Sequence, residues 1–219
     1  HQDFDSITID LQHGLTDYSI AVPMMQAMSA SDATMLCRVP WLEAGIIMKL
    51  LDAGAMGIIC PMINSREEAE EFVGATLYSP DGYRSSGPVR ANIIHSDYHN
   101  SANDQIISLA MIETEQAVEN AEAMAALDGI DALLFGTSDL TIEMGIPGQM
   151  GHPRVVKHYE TAAAACKKHG KFLGKGGIYD PAVMKDYVAM GAQLILAGND
   201  FPFLMKAAKE QAEIVRGMG

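Results

Sequence analysis

The chain has 219 residues, 48% of them hydrophobic, and a formal net charge of −13 from 28 acidic and 15 basic side chains. That is enough apolar material for one sizeable core, read here as a single domain over residues 1–219. The acidity excludes a nucleic-acid footprint and disfavours an anionic membrane surface, and no apolar run reaches the roughly 18 residues that span a bilayer.

Short apolar runs alternate with longer amphipathic ones. A strand over Ser6–Asp10 leads to a helix over Tyr18–Ala30, a strand over Thr34–Val39 to a helix over Glu43–Leu51, and a strand over Gly57–Cys60 to a helix over Arg66–Thr76. The stretch Ser79–Gln105, with Pro80, Gly82, Gly87 and Pro88, is expected to be irregular. A loop that long in a compact domain is usually functional, for example as a segment that covers a substrate. Then follow strand Ser108–Glu113, helix Glu115–Leu127, strand Ala132–Gly136 and helix Pro153–His169. Strand Lys171–Gly174, helix Pro181–Met190, strand Gln193–Ala197 and helix Phe201–Val215 complete the order. Several strands are nearly unbroken apolar runs, as parallel strands covered on both faces should be. Asn64-Ser65 before Arg66-Glu67-Glu68, and Asp180 before Pro181, are helix starts; Gly54, Gly170 and Gly191 stand at helix ends.

Repeated strand-then-helix order means a parallel sheet, either open and doubly wound or closed into a barrel. No glycine-rich dinucleotide fingerprint follows the first strand, where Asp10-Leu11-Gln12-His13-Gly14 stands instead. Gly174-Lys175-Gly176-Gly177 is too short for a Walker loop. Cys37, Cys60 and Cys166 are far apart and odd in number, which suits buried free thiols in a reducing cytoplasm. Residues 1–5 have neither a basic region nor an apolar one, so no secretory signal is expected. The 15 methionines read as adaptable core filler.

Barrel enzymes place reactive side chains at the carboxyl ends of their strands, and those ends are where the costly residues of this chain lie. The first strand closes on Asp10 with His13 just beyond, the second on Arg38, the fourth on Glu113, and the fifth delivers Asp139 after Gly136-Thr137-Ser138. Glu113 and Asp139 lie one β/α unit apart, so neighbouring strands bring two hard oxygen ligands to one mouth. That suits Mg²⁺, Mn²⁺ or a similar ion that keeps several waters. The alternative for each is a helix N-cap. Arg38, closing an apolar strand, should meet an anion: Asp10 as an internal partner, or a substrate carboxylate or developing oxyanion. His13 is either a satisfied histidine oriented by Asp10 or a proton-transfer group. Asp52 falls in the last turn of a predicted helix, where its charge opposes the dipole; it is either solvated or reaches a catalytic partner.

The motifs Asp10-Leu-Gln-His13, Arg38-Val-Pro-Trp41, Leu51-Asp-Ala-Gly-Ala55 and Cys60-Pro-Met62 recur in the same order in the HpcH/HpaI aldolases. So do Tyr83-Arg84 with Gly87-Pro88, Met111-Ile-Glu-Thr114 and Gly136-Thr-Ser-Asp-Leu140. Over nearly its whole length the chain therefore resembles that family, which implies a (β/α)₈ TIM barrel of the phosphoenolpyruvate/pyruvate superfamily. It also implies a homotrimer or homohexamer with an exchanged terminal helix. By the same resemblance Glu113 and Asp139 match the ligands of a divalent cation (Mg²⁺, Mn²⁺ or Co²⁺), and Arg38 matches the arginine that holds the keto oxygen and stabilises the enolate. His13 and Asp52 match the proton-transfer pair, and the Ser138 and Asp139 amides beside Gly136 match those that receive the pyruvate carboxylate. The activity implied is class II aldol cleavage of 4-hydroxy-2-oxo acids to pyruvate or hydroxypyruvate and an aldehyde.

Three features depart from the family pattern. Gln12 stands where an acidic residue is common, a form similar to members described as hydroxypyruvate or pyruvate aldolases. Met111 stands where some relatives carry a glutamine. Seven strands are counted rather than eight, the first strand and helix being absent, so either the sequence is partial or a partner covers the gap. Competing expectations are a Schiff-base aldolase using Lys175, otherwise a solvated loop lysine, an acyl-CoA lyase of the same superfamily, and a non-catalytic binder of 2-oxo acids.

Overall fold

The apolar runs read as strands do pair as strands. The computed structural model describes residues 2–176 and 180–218, so His1 and Gly177 of the glycine-rich segment lie outside the described residues. Strands β1 (Ser6–Asp10), β2 (Thr34–Arg38), β3 (Gly57–Cys60), β4 (Ile107–Ile112), β5 (Ala132–Gly136), β6 (Phe172–Gly176) and β7 (Leu194–Ile195) form one parallel sheet in sequence order. A doubly wound sheet reverses its order at a switch point, whereas this one never does, which is barrel winding. It is one unit short of eight, and β1 and β7 are not paired with each other among the described residues.

Helices α1 (Tyr18–Met28), α2 (Ala44–Asp52) and α3 (Arg66–Thr76) cross between the first strands. Their starts are capped by Asp17, Glu43 and Ser65, the last accepting from the Glu68 amide at 3.2 Å. The segment expected to be irregular contains two short helices, α4 (Val89–Ile94) and α5 (Tyr98–Gln105). The single helix expected over Glu115–Leu127 is broken into α6 (Glu115–Glu119) and α7 (Ala121–Ala125) at Asn120, whose side chain donates to Asn64 O. Next come α8 (Thr137–Glu143), α9 (Pro153–His169), α10 (Pro181–Ala189) and α11 (Asp200–Arg216). Gly170 ends α9 with φ 66°, in the left-handed region that glycine enters without steric cost.

Strand alternation sorts the core into two layers. Ile59, Leu109, Met111, Ala132 and Leu134 fill the inner face with Leu194 and Leu196 against them. Their neighbours Ile58, Cys60, Ala110, Ile112, Leu133 and Phe135 face the helices. Phe135 packs edge-on against Tyr159, which does the same against Tyr187; each such buried side chain contributes about 1.5–3 kcal/mol. All three cysteines are buried free thiols, and burial pushes Cys37 up to about 12, so none is poised to react. Helix α11 buries none of its residues, although Phe201, Phe203 and Leu204 lie along it. No helix among the described residues is long and apolar enough to cross a membrane.

Candidate active site

Asp10 and Arg38 close β1 and β2 as direct register partners, so both side chains leave the inner face at the same level. Arg38 Nε donates to Asp10 Oδ1 at 2.8 Å and Nη2 donates to Oδ2 at 2.5 Å, a two-pronged pair that fixes the guanidinium plane. Burial works against both charges. The pair overcomes it: Arg38 and the amides of Gln12 and His13 hold Asp10 below the usual carboxylate range. Asp10, with Glu113 and Asp139 behind it, holds Arg38 above its ordinary value. The internal anion expected for Arg38 is thus Asp10, and the two distant carboxylates are near enough for its charge to register.

Glu113 follows β4 on the inner side, next to Met111 of the inner layer and one residue past outward-facing Ile112. It is 3% exposed. Its Oε2 accepts the Met62 amide at 3.0 Å, and neither another hydrogen bond nor a basic nitrogen within ion-pair distance reaches it among the described residues. Burial foremost, with the charge of Asp139 added, pushes its carboxyl above the usual range against the pull of Met62 and Arg38. A Cβ at Gly136 would stand 2.7 Å from Glu113 Oε1, so glycine is required for the carboxylate to lie against that backbone.

Asp139 lies in the first turn of α8, which starts directly on β5. The N-cap alternatives fail on this geometry: Gly136 caps α8 with no side-chain bond, and Thr114, not Glu113, caps α6 through the Ala117 amide. The first-turn amides of α8, those of Ser138 and Asp139 included, have no acceptor within the helix and no capping side chain. They therefore present donors to an anion at the same rim. A buried, uncompensated carboxylate beside a second one is a donor set that a divalent cation fits. Among the described residues no third His, Cys, Asp or Glu joins them, so water and substrate would fill the remaining positions.

His13 is exposed, and its ring is bonded to no other residue among the described ones. Asp52, at the last position of α2, accepts Arg84 Nη2 on Oδ1 at 2.6 Å and makes no bond to His13. Arg84 is buried, donates also to Tyr98 Oη at 3.1 Å, and lies over the Tyr78 ring at 4.4 Å. It therefore neutralises a charge that opposes the helix dipole and anchors the segment before α4. Arg84 stood in the family motifs without a role assigned to it; its partner is 32 residues distant.

Lys175 is not a solvated loop lysine. It belongs to β6 and is 3% exposed. Its flanking glycines 174 and 176 face Leu134 and Leu196 of the inner side, which sends Lys175 the other way. There its Nζ donates to Thr137 Oγ1 at 3.2 Å and stands over the Phe135 and Tyr187 rings of the helix layer. Burial lowers its pKa from 10.5 to about 7. That is the value a Schiff-base lysine needs, but on the face opposite Glu113.

Residues 1–207 match the family model described as HpcH/HpaI aldolase/citrate lyase. A hydroxypyruvate/pyruvate aldolase of Rhizorhabdus wittichii is 36% identical over 95% of this chain and 84% of its own. A 5-keto-4-deoxy-D-glucarate aldolase of Shigella dysenteriae serotype 1 is 34% identical over 96% of this chain and 83% of its own. The crystal structure of an HpcH/HpaI aldolase from Desulfitobacterium hafniense superposes with a TM-score of 0.90 at 28% identity, covering 98% of this chain and 84% of that one.

Proposed function

The chain belongs to the HpcH/HpaI aldolase/citrate lyase family and is a carbon–carbon lyase of the aldolase type, and we propose which bond it breaks and which side chains act. The reaction is reversible cleavage of the C3–C4 bond of a 4-hydroxy-2-oxo acid into pyruvate or hydroxypyruvate and an aldehyde. The names of the two relatives support that substrate class. The single observation that carries the metal-dependent form is Glu113, a buried carboxylate beside Asp139 without a counter-cation among the described residues. When bound, Mg²⁺, Mn²⁺ or Co²⁺ supplies Lewis-acid polarisation of the 2-oxo group.

Glu113 and Asp139 would hold that ion, and the bare backbone of Gly136 leaves room for the Glu113 carboxylate. The Ser138 and Asp139 amides receive the substrate carboxylate, where the N-terminal dipole of α8 favours an anion. Asp10 grips Arg38 by Nε and Nη2, which leaves its remaining N–H groups for the keto oxygen, where negative charge grows as the bond breaks. His13 takes the 4-hydroxyl proton through a water. Asp52 stands where α2 leads back to the amino end of β3, the opposite end of the sheet from His13, and pairs with Arg84, so within one chain it takes no part in this step. The electron pair of the C3–C4 bond passes to the enolate, the hydroxyl carbon leaves as the aldehyde, and a proton returned to C3 gives the 2-oxo acid. The exposed apolar side chains of α11 support assembly as a homotrimer or homohexamer in which this helix is covered.

Chelator-treated protein should neither cleave such substrates nor exchange the methyl protons of pyruvate followed by NMR. Mn²⁺, Co²⁺ or Mg²⁺ should restore both. Full activity in excess chelator overturns the metal-dependent reading.

A further inference from the structure

We propose that Asn64 is a positioning residue for the cation site, its side-chain amide clamping together the two segments that fix Glu113. The inference rests on reading Glu113 as a cation ligand and names what sets that ligand's position.

Glu113 is fixed at two points. One is the chain itself, which runs on into Thr114; the other is the Met62 amide on Oε2. Met62 has φ 55°, a left-handed conformation that a non-glycine residue keeps only where its surroundings over-determine it. Asn64 provides that determination. Its Nδ2 donates to Met62 O at 2.8 Å, and its Oδ1 accepts the Thr114 hydroxyl at 2.5 Å. Its own backbone is pinned as well, the amide donating to Glu68 Oε2 at 2.6 Å and the carbonyl accepting Asn120 Nδ2 at 2.8 Å.

The result is a closed ring that runs from the Glu113 carboxylate through the Met62 peptide, the Asn64 amide and Thr114 back to Glu113. Chemistry dictates the direction of each bond. The Met62 carbonyl only accepts, so Nδ2 must face it. That leaves Oδ1 for Thr114, whose hydroxyl spends its proton there while its lone pair caps α6 at the Ala117 amide, 3.0 Å away. Nothing in the ring contacts substrate in the proposed mechanism. Its work is to keep Oε2 on the Met62 amide, so that Oε1, lying against Gly136, is held for the cation. Partners that orient a ligand in this way typically change metal affinity or activity about 10–100-fold when removed.

The test is a titration of chelator-stripped protein with Mn²⁺, free Mn²⁺ being read by electron paramagnetic resonance. Asn64→Ala should weaken Mn²⁺ binding about 10–100-fold while its melting temperature in chelator stays close to that of the wild type. The same deficit should appear in the Mn²⁺ concentration for half-maximal cleavage, with most of kcat recovered at saturation; a merely structural role would not produce that split. Thr114→Ser, which keeps the hydroxyl, should bind Mn²⁺ like the wild type, and Thr114→Val should bind as weakly as Asn64→Ala. Folded Asn64→Ala with unchanged Mn²⁺ affinity overturns the inference alone. Absence of Mn²⁺ binding in the wild type overturns it together with the assignment of Glu113 as a ligand. Should Asn64→Ala fail to fold, equal affinities of the two Thr114 variants overturn it.

Discussion

Two neighbouring pairs of charged residues stand at the same rim, and the fold treats them in opposite ways. At the ends of β1 and β2, Asp10 and Arg38 are opposite in sign, paired by two hydrogen bonds, and each stabilised in its charged form. At the ends of β4 and β5, Glu113 and Asp139 are alike in sign, and burial with mutual repulsion pushes Glu113 toward its neutral form. A satisfied pair holds geometry. An unsatisfied pair carries a cost that a proton relieves and that, on the proposed reading, a bound cation would relieve as well. The signs follow. Asp10, with its pKa lowered, adds stability above its unfolded value that is lost as pH falls through the folded one. Glu113, with its pKa raised, favours folding at low pH and loses that contribution as pH rises through the folded value.

The largest effect belongs to the unsatisfied pair. Glu113→Gln keeps the shape and removes the charge, so cleavage and Mn²⁺ affinity should each fall by about 100-fold or more. The metal-free variant should nevertheless melt higher than the metal-free wild type at neutral pH, because an uncompensated buried charge is gone. A lower melting temperature in chelator would break the contrast between the two pairs.

Asp10→Asn attacks the satisfied pair and should do the reverse. Metal-free stability should drop by about 1 kcal/mol in urea unfolding, a figure discounted because both side chains are partly exposed. Loss of the guanidinium's orientation should lower kcat/KM about 10–100-fold with Mn²⁺ affinity little changed. If Mn²⁺ affinity falls as steeply as kcat/KM, the two pairs are one unit rather than two.

The smallest effect concerns a slope. Lys175 is a buried amine whose hydrogen-bond acceptors among the described residues are all neutral. Its folded pKa of about 7 lies below 10.5, so between these values the unfolded chain binds the proton and the folded chain does not. From this group, stability should rise with pH through that window by about 1.4 kcal/mol per unit. Urea unfolding of Lys175→Met at pH 7, 8 and 9 should show that component of the slope removed. An unchanged slope would mean the amine titrates as if in water.

The seven strands were legible to within a residue or two at most ends, because a parallel strand covered on both faces is an apolar run whatever surrounds it. The ends of those runs also exposed Asp10, Arg38, Glu113 and Asp139, since a charge beside an apolar strand needs a reason. Helices α4 and α5 were not legible. Their polar sequences carry little apolar periodicity, and they are held from outside: Arg90 donates to Ala53 O and Met25 O, and Asn103 bonds the Tyr78 backbone. Helix α8 was missed because it begins on Gly136 with no capping side chain to announce it.

The sequence alone determined the order and type of most elements and which costly charges stand at the strand ends, because burial on a strand or helix repeats with the local period of the chain. Only the tertiary structure decided which charges meet: Asp10 with Arg38, Asp52 with Arg84, Glu113 with the Met62 amide, and Lys175 away from them all. Each pairing depends on strand register or on segments tens of residues apart, and no local pattern encodes that.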